Sequence, residues 1–231
     1  MGTLESPGLA RRFVAEFLGT ALLLAVVVGS GIMADRLDGG NVALALLANA
    51  LAAGAGLIAL ILTFGPVSGA HFNPVVTLIE AWQRRMDRRD APVYLLAQFT
   101  GAVAGVALAH VMFGHPVVSL SEHVRASRGE LVSEFVATFG LIAVIAACAR
   151  RRPGVTPFAV GLYITSAYWF TASTSFANPA VTIARTLTST FAGIRATDAP
   201  GFMAAQLAGA ATSAVLFAWL VPTPRGESAP D

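Results

Sequence analysis

The sequence predicts an all-α membrane protein with six transmembrane helices plus two re-entrant half-helices, arranged as an inverted repeat. Three observations predict it. Of 231 residues, 55% are hydrophobic and 12% charged, with a mean hydropathy of +0.69, too apolar for an ordinary soluble domain. Windows close to the ~20 apolar residues needed to cross a bilayer recur at 13–33, 42–63, 91–113, 130–149, 156–173 and 199–221. Asn-Pro occurs twice in matching apolar settings, within Ser68–Thr77 and Ser175–Thr182.

Each element has a local reason. The first window opens on Arg11-Arg12, yet its apolar run is too long for a signal-peptide core and passes into Gly29-Ser30-Gly31 without a convincing cleavage site. A retained first helix is expected. After the second window, Asn73 is a strong N-cap and Pro74 suits the first helical position. About ten apolar or small residues follow before Arg84, too few to cross a ~30 Å core. Asn178 and Pro179 repeat the device after the fifth window, with polarity returning between Thr188 and Arg195. Both helices therefore enter the membrane and stop inside it.

The halves echo one another. Ala15–Thr20 returns as Ser133–Thr138, and Ala97–Gly101 returns as Ala205–Gly209. Three spans per half invert the second copy, so a single membrane domain over 1–231 divides into repeats at 13–113 and 130–221, and the half-helices approach the midplane from opposite faces. Six spans place both termini on one side. Ten arginines fall there (Arg11, Arg12, Arg84, Arg85, Arg88, Arg89, Arg150, Arg151, Arg152 and Arg225), against Arg36, Arg125, Arg128, Arg185 and Arg195 elsewhere. That bias predicts cytoplasmic termini in a multi-pass cell (inner) membrane protein. The high pI follows from topology and gives no reason to expect nucleic acid as a partner.

Other function classes find little support. Cys148 is the single cysteine, which excludes a disulfide framework and reads as a small core residue. His110, His115 and His123 look too scattered for a metal site, and no Ser-His-Asp or phosphate-loop constellation points to an enzyme. No Asn-x-Ser/Thr sequon occurs, and tails of roughly a dozen residues are too short for another domain. An alternating-access transporter shares inverted repeats and broken helices, but no extra intramembrane acid offers a coupling site. A pore that conducts ions is the third alternative.

With both Asn-Pro boxes and both Glu-Phe segments in place, the chain resembles the aquaporin and aquaglyceroporin family, the major intrinsic proteins, over essentially its whole transmembrane length. The resemblance implies a passive channel with the aquaporin-like fold, no cofactor, small neutral solutes as cargo and a homotetramer in the lipid bilayer. Asn73-Pro74-Val75 and Asn178-Pro179-Ala180 would form the pore centre. Each Asn would cap its half-helix and offer amide N–H groups to passing solute. Two half-helix N-termini, each about +0.5 charge, would repel a cation by roughly 4 kcal/mol at ~4 Å and an effective dielectric of 20. The carbonyls of Gly69, Ala70 and His71, and of Thr174, Ser175 and Phe176, would form an acceptor ladder, and Glu16 and Glu134 would hold the two loops. His71 reads equally as a pore lining or as a loop brace.

The outer filter departs from the family pattern. Val181 stands where Arg usually follows the second box, and Val75 where the first box usually has Ala. Matching the family's motifs puts Ala53, Tyr168 and Ser175 around the same constriction, with Trp169 as the alternative to Tyr168. Small apolar Ala53 and Val181 suggest a filter wider than that of water-selective relatives. Arg185 lies one turn further out than Val181, where it supplies charge to the vestibule or else serves as an interfacial or helix-terminal arginine. The missing arginine together with the stretch Asn178–Thr186 resembles the bacterial branch linked to arsenic-resistance operons, which implies passage of neutral arsenous acid or methylated trivalent arsenic, with glycerol and urea as co-substrates. A water-selective pore with an unusual filter is the alternative.

Overall fold

The computed structural model describes residues 7–149 and 151–221; Arg150 and Arg225, assigned above to the terminus face, lie outside the described residues. Six long or medium helices form the wall: α1 (Leu9–Leu37), α2 (Val42–Ser68), α4 (Ala91–Phe113), α5 (Arg128–Cys148), α6 (Thr156–Phe170) and α8 (Ala199–Leu220). Two short ones, α3 (Pro74–Trp82) and α7 (Pro179–Ala184), begin at the two Asn-Pro boxes. All six expected spans and both half-helices are present. Among the described residues, five helices are long and apolar enough to cross a membrane. The sixth, α6, has only 15 residues, about 23 Å at the α-helical rise. A 3-10 turn at Pro153–Val155 precedes it, and the chain leaves it at Thr171 through a turn into the irregular segment that leads to the second Asn-Pro box. The second half-helix is likewise shorter than expected, with 6 α-helical residues tightening into a 3-10 turn over Arg185–Leu187.

The inverted repeat governs packing. Helix α1 lies along α4 and α2, α5 lies along α8 and α6, and α2 meets α6 to join the halves. Each half-helix sits against the last helix of both repeats: α3 on α4 and α8, α7 on α8 and α4. Close approach needs small residues. A Cβ on Gly101 would strike the Phe17 carbonyl, and one on Gly209 would strike the Phe135 carbonyl, which are equivalent contacts in the two repeats. Gly105 meets the Ala21 carbonyl and Gly19 the Phe72 ring, so these glycines serve packing inside one chain.

Large apolar side chains also cover the outside, among them Leu51, Leu96, Val111, Leu162 and Trp219. A soluble monomer rarely carries so much apolar surface; hydrocarbon is the solvent this exterior fits. The chain is a multi-span membrane protein. Cys148, expected in the core, is partly exposed at the last position of α5, because the helix ends there and fewer neighbours remain to cover it.

Candidate solute path and its filter

Glu16 and Glu134 are fully buried at corresponding places on α1 and α5. Glu16 accepts hydrogen bonds from the backbone N–H of His71 (2.9 Å) and Phe72 (2.8 Å), from Ser68 Oγ (2.7 Å) and from Gln98 Nε2 (2.8 Å). Glu134 accepts from the N–H of Phe176 and Ala177, both at 2.9 Å, and from Gln206 Nε2 at 2.6 Å. Each glutamine also donates to a threonine on the nearby half-helix, Gln98 to Thr77 and Gln206 to Thr182, both at 2.9 Å. Irregular backbone at membrane depth must have its donors satisfied by protein, and these twin cradles satisfy them. Gln98 and Gln206 stand out in the sequence only as echoes between the repeats, and the matched Glu-Gln pair at each box is the signal there for this role.

The cradles hold strained backbone. Ala70, Phe72, Thr174, Ser175 and Ala177 all have positive φ between 49° and 61°, a region non-glycine residues rarely occupy and one that costs on the order of 1–3 kcal/mol each. This geometry lets the carbonyls of Gly69, Ala70, His71, Thr174, Ser175 and Phe176 go without any donor among the described residues. The next carbonyl on each side is used: Asn73 Nδ2 donates to Ala177 O and Asn178 Nδ2 to Phe72 O, both at 2.8 Å. Each Asn Oδ1 caps its own half-helix, Asn73 accepting from Val75 N–H and Asn178 from Ala180 and Val181 N–H. The two boxes thus lock together through one amide N–H apiece.

A cavity of ≈ 570 Å³ follows these groups from Pro7, Met86 and Thr156 near the terminus face, past Asn73 and Asn178, to Arg185. Gly69, Ala70, His71, Ser175 and Phe176 line it, whereas Thr174 does not. His71 serves in both ways weighed above: it faces the cavity while its Nδ1 lies 3.0 Å from Thr77 Oγ1 and its ring sits against Tyr94. Ala53, Tyr168, Ser175 and Val181 line the same cavity. Trp169 is 49% exposed and points away, so Tyr168 is the residue on the cavity. Pro74, Val75, Pro179 and Ala180 are buried beside it without lining it.

A family model described as Major intrinsic protein matches residues 3–172. The chain belongs to the major intrinsic protein family. Its sequence is 55% identical to "Aquaglyceroporin AqpS" of Rhizobium meliloti (strain 1021), covering 94% of this chain and 93% of that protein. It is 38% identical to "Aquaporin NIP1-4" of Oryza sativa subsp. japonica over 63% of this chain and 52% of that one. The fold matches the X-ray structure of the aquaglyceroporin from Plasmodium falciparum with a TM-score of 0.68 at 22% identity, covering 92% of this chain and 95% of that one. Major intrinsic proteins are channels, not catalysts.

Within this major intrinsic protein, Arg185 is 2% exposed and lines the cavity, so it is not an interfacial arginine. Its guanidinium carbon lies 3.4 Å from the centroid of the Phe176 ring, and its Nε donates to the Ala192 carbonyl. Sequence reading missed Arg125, which stands over the same ring at 5.2 Å. Arg125 donates from Nε to Gly193 O (2.9 Å) and from Nη1 to Ser173 O (3.2 Å), tying the 114–127 connection to both ends of the second re-entrant segment. Its backbone N–H binds Asp198 Oδ2 at 2.9 Å. Burial alone would raise the Asp198 pKa, but hydrogen bonds from Arg195 and from this N–H outweigh it and hold the carboxyl below its ordinary value. His110 and His115 come closer than the sequence suggested, with ring centroids 5.9 Å apart. Both His110 nitrogens are engaged, at Val117 O and Thr188 Oγ1, and among the described residues no cluster suits a metal.

Proposed function

We propose that this protein is a passive channel for small neutral solutes larger than water, glycerol-like polyols and neutral arsenous acid among them. The observation that carries the proposal is the wall of the cavity at its outer end. Ala53 and Val181 are small and apolar there, and no cation follows the second box directly. Along the rest of the path, free carbonyls accept and the two Asn amides donate. A small trihydroxy solute can trade its water shell for those groups in single file. A relative at 55% identity bears the name aquaglyceroporin, which supports the choice of polyols over water alone. The half-helix N-termini disfavour cations at the centre, while neutral solutes escape that cost.

The accompanying assembly is a homotetramer with one pore per chain in the cell membrane, termini in the cytoplasm. Arg11, Arg12, Arg84, Arg85, Arg88, Arg89, Arg151 and Arg152 all belong to the terminus face of the topology, the side the positive-inside rule assigns to the cytoplasm. The test is stopped-flow light scattering on proteoliposomes of the purified protein, comparing water, glycerol and arsenous acid with empty vesicles. Glycerol and arsenous acid entry well above the lipid background is expected. Water flux alone would reject the wide filter in favour of a water-selective pore, and saturable flux coupled to an ion gradient would reject a channel.

A further inference from the structure

Arg185 is a buried cation without an anion. Among the described residues no carboxylate lies within ion-pair distance of it. Glu134 is occupied by its three donors, and Asp198 pairs with Arg195 at 2.8 Å. The neighbouring Arg125 spends its guanidinium on the Gly193 and Ser173 carbonyls, whereas Arg185 spends only Nε, on Ala192. Its terminal N–H groups have no hydrogen-bond partner among the described residues, although the residue is 2% exposed and lines the cavity. Burying a charge so is costly unless it is solvated, and here the cavity is the place from which solvent can reach it. Packing fixes the direction. The Phe176 face holds one side of the guanidinium, and that ring also meets Phe202 edge-on at 5.1 Å.

Val181 lies on α7 and Arg185, four residues later, caps its C-terminus at the start of the 3-10 turn, about 6 Å further along the axis. Both line the cavity. Bulk and charge, which a single arginine directly after the second box would combine, are thereby set at two depths of the path.

We propose that Arg185 is the charge-selecting residue of this pore, acting one helical turn outward of the size-limiting ring formed by Ala53, Tyr168 and Val181. The inference rests on the reading of the cavity as a solute path, and its test is chosen so that either can fail alone. Ser175 lines the cavity beside Phe176, which makes position 175 a probe site. In a Cys148→Ser, Ser175→Cys protein, the alkylation rates by anionic iodoacetate and neutral iodoacetamide are read by mass spectrometry. Both reagents are attacked by the same thiolate with loss of iodide, so their rate ratio cancels thiolate fraction and access and reports the local potential.

Replacing Arg185 by Gln should lower the iodoacetate-to-iodoacetamide ratio about tenfold, the effect of one unit charge at ~6 Å and an effective dielectric of ~40. Arg185→Lys should keep most of it. Because an unfolded chain would also lose the ratio, the Arg185→Gln protein must still react with iodoacetamide more slowly than its denatured form. A ratio unchanged within about twofold would overturn the proposal, as would a thiol at position 175 that neither reagent reaches in the folded protein. Absence of glycerol flux would instead reject the functional reading and leave the ratio legible.

Discussion

Asn73 and Asn178 each divide one side-chain amide between two duties. The oxygen closes the N-terminus of a half-helix, and one N–H reaches across to the opposite loop. Of these duties the sequence showed the first, since Asn before Pro is a local capping signal. The second was hidden, because Phe72 and Ala177 carbonyls come within reach only through positive-φ backbone far apart in the chain. Tyr168 against Trp169 was equally illegible: adjacent helical residues differ by about 100° around the axis, and which one faces the path depends on how α6 rolls against α2. Ser175 was legible by its distance from Asn178, and it carries a prediction at this scale. Wild-type flux should resist mercurials, since Cys148 lies at the end of α5 and does not line the cavity. Ser175→Cys should become blockable and recover on adding a reducing thiol. Failure of Ser175→Cys to be blocked, or a block of the wild type that Cys148→Ser abolishes, would show that the register at the filter is wrong.

The half-helices owe their position to helices elsewhere in the chain. Neither α3 nor α7 is long enough to be stable alone; each is pinned by a Glu on the first helix of its repeat and a Gln on the last, with a Thr on the half-helix itself receiving the Gln. Sequence periodicity finds the long helices readily, because an apolar run is a local property. It does not find α6's early end at Phe170 or α7's change to a 3-10 turn at Arg185, because both are set by the loops they must join. The cradle yields a direct prediction. Glu134→Gln replaces one acceptor oxygen with a donor facing the backbone N–H of Phe176 or Ala177, and leaving one such buried donor unmet costs about 1–3 kcal/mol. Thermal unfolding in detergent should occur at a lower temperature in Glu134→Gln, and in its counterpart Glu16→Gln by a similar amount. Unchanged melting in both would mean that the loops are held by packing alone.

At the scale of the molecule, an inverted repeat places two cradles, two capped half-helices and two short runs of carbonyls with no donor among the described residues beside one cavity, Thr174 alone among those residues not lining it. The sequence disclosed this architecture through its paired boxes and the Glu-Phe and Gln echoes. It did not disclose that the 114–127 connection folds back over the second re-entrant segment, with Ser119 and Ser121 N–H groups donating to Leu187 and Thr186 carbonyls, both at 3.0 Å, and Arg125 buried beneath. Loop contacts of that kind lack periodicity and leave no pattern to read. The proposed passage of solutes larger than water rests on Val181 standing where an arginine would narrow the path. It is tested most directly by measuring glycerol and water permeability of wild type and Val181→Arg in the same proteoliposome preparation. Glycerol permeability should fall at least about tenfold in Val181→Arg while water permeability persists, since an added guanidinium obstructs the larger solute and offers donors to the smaller. Equal glycerol-to-water ratios in the two proteins would contradict it.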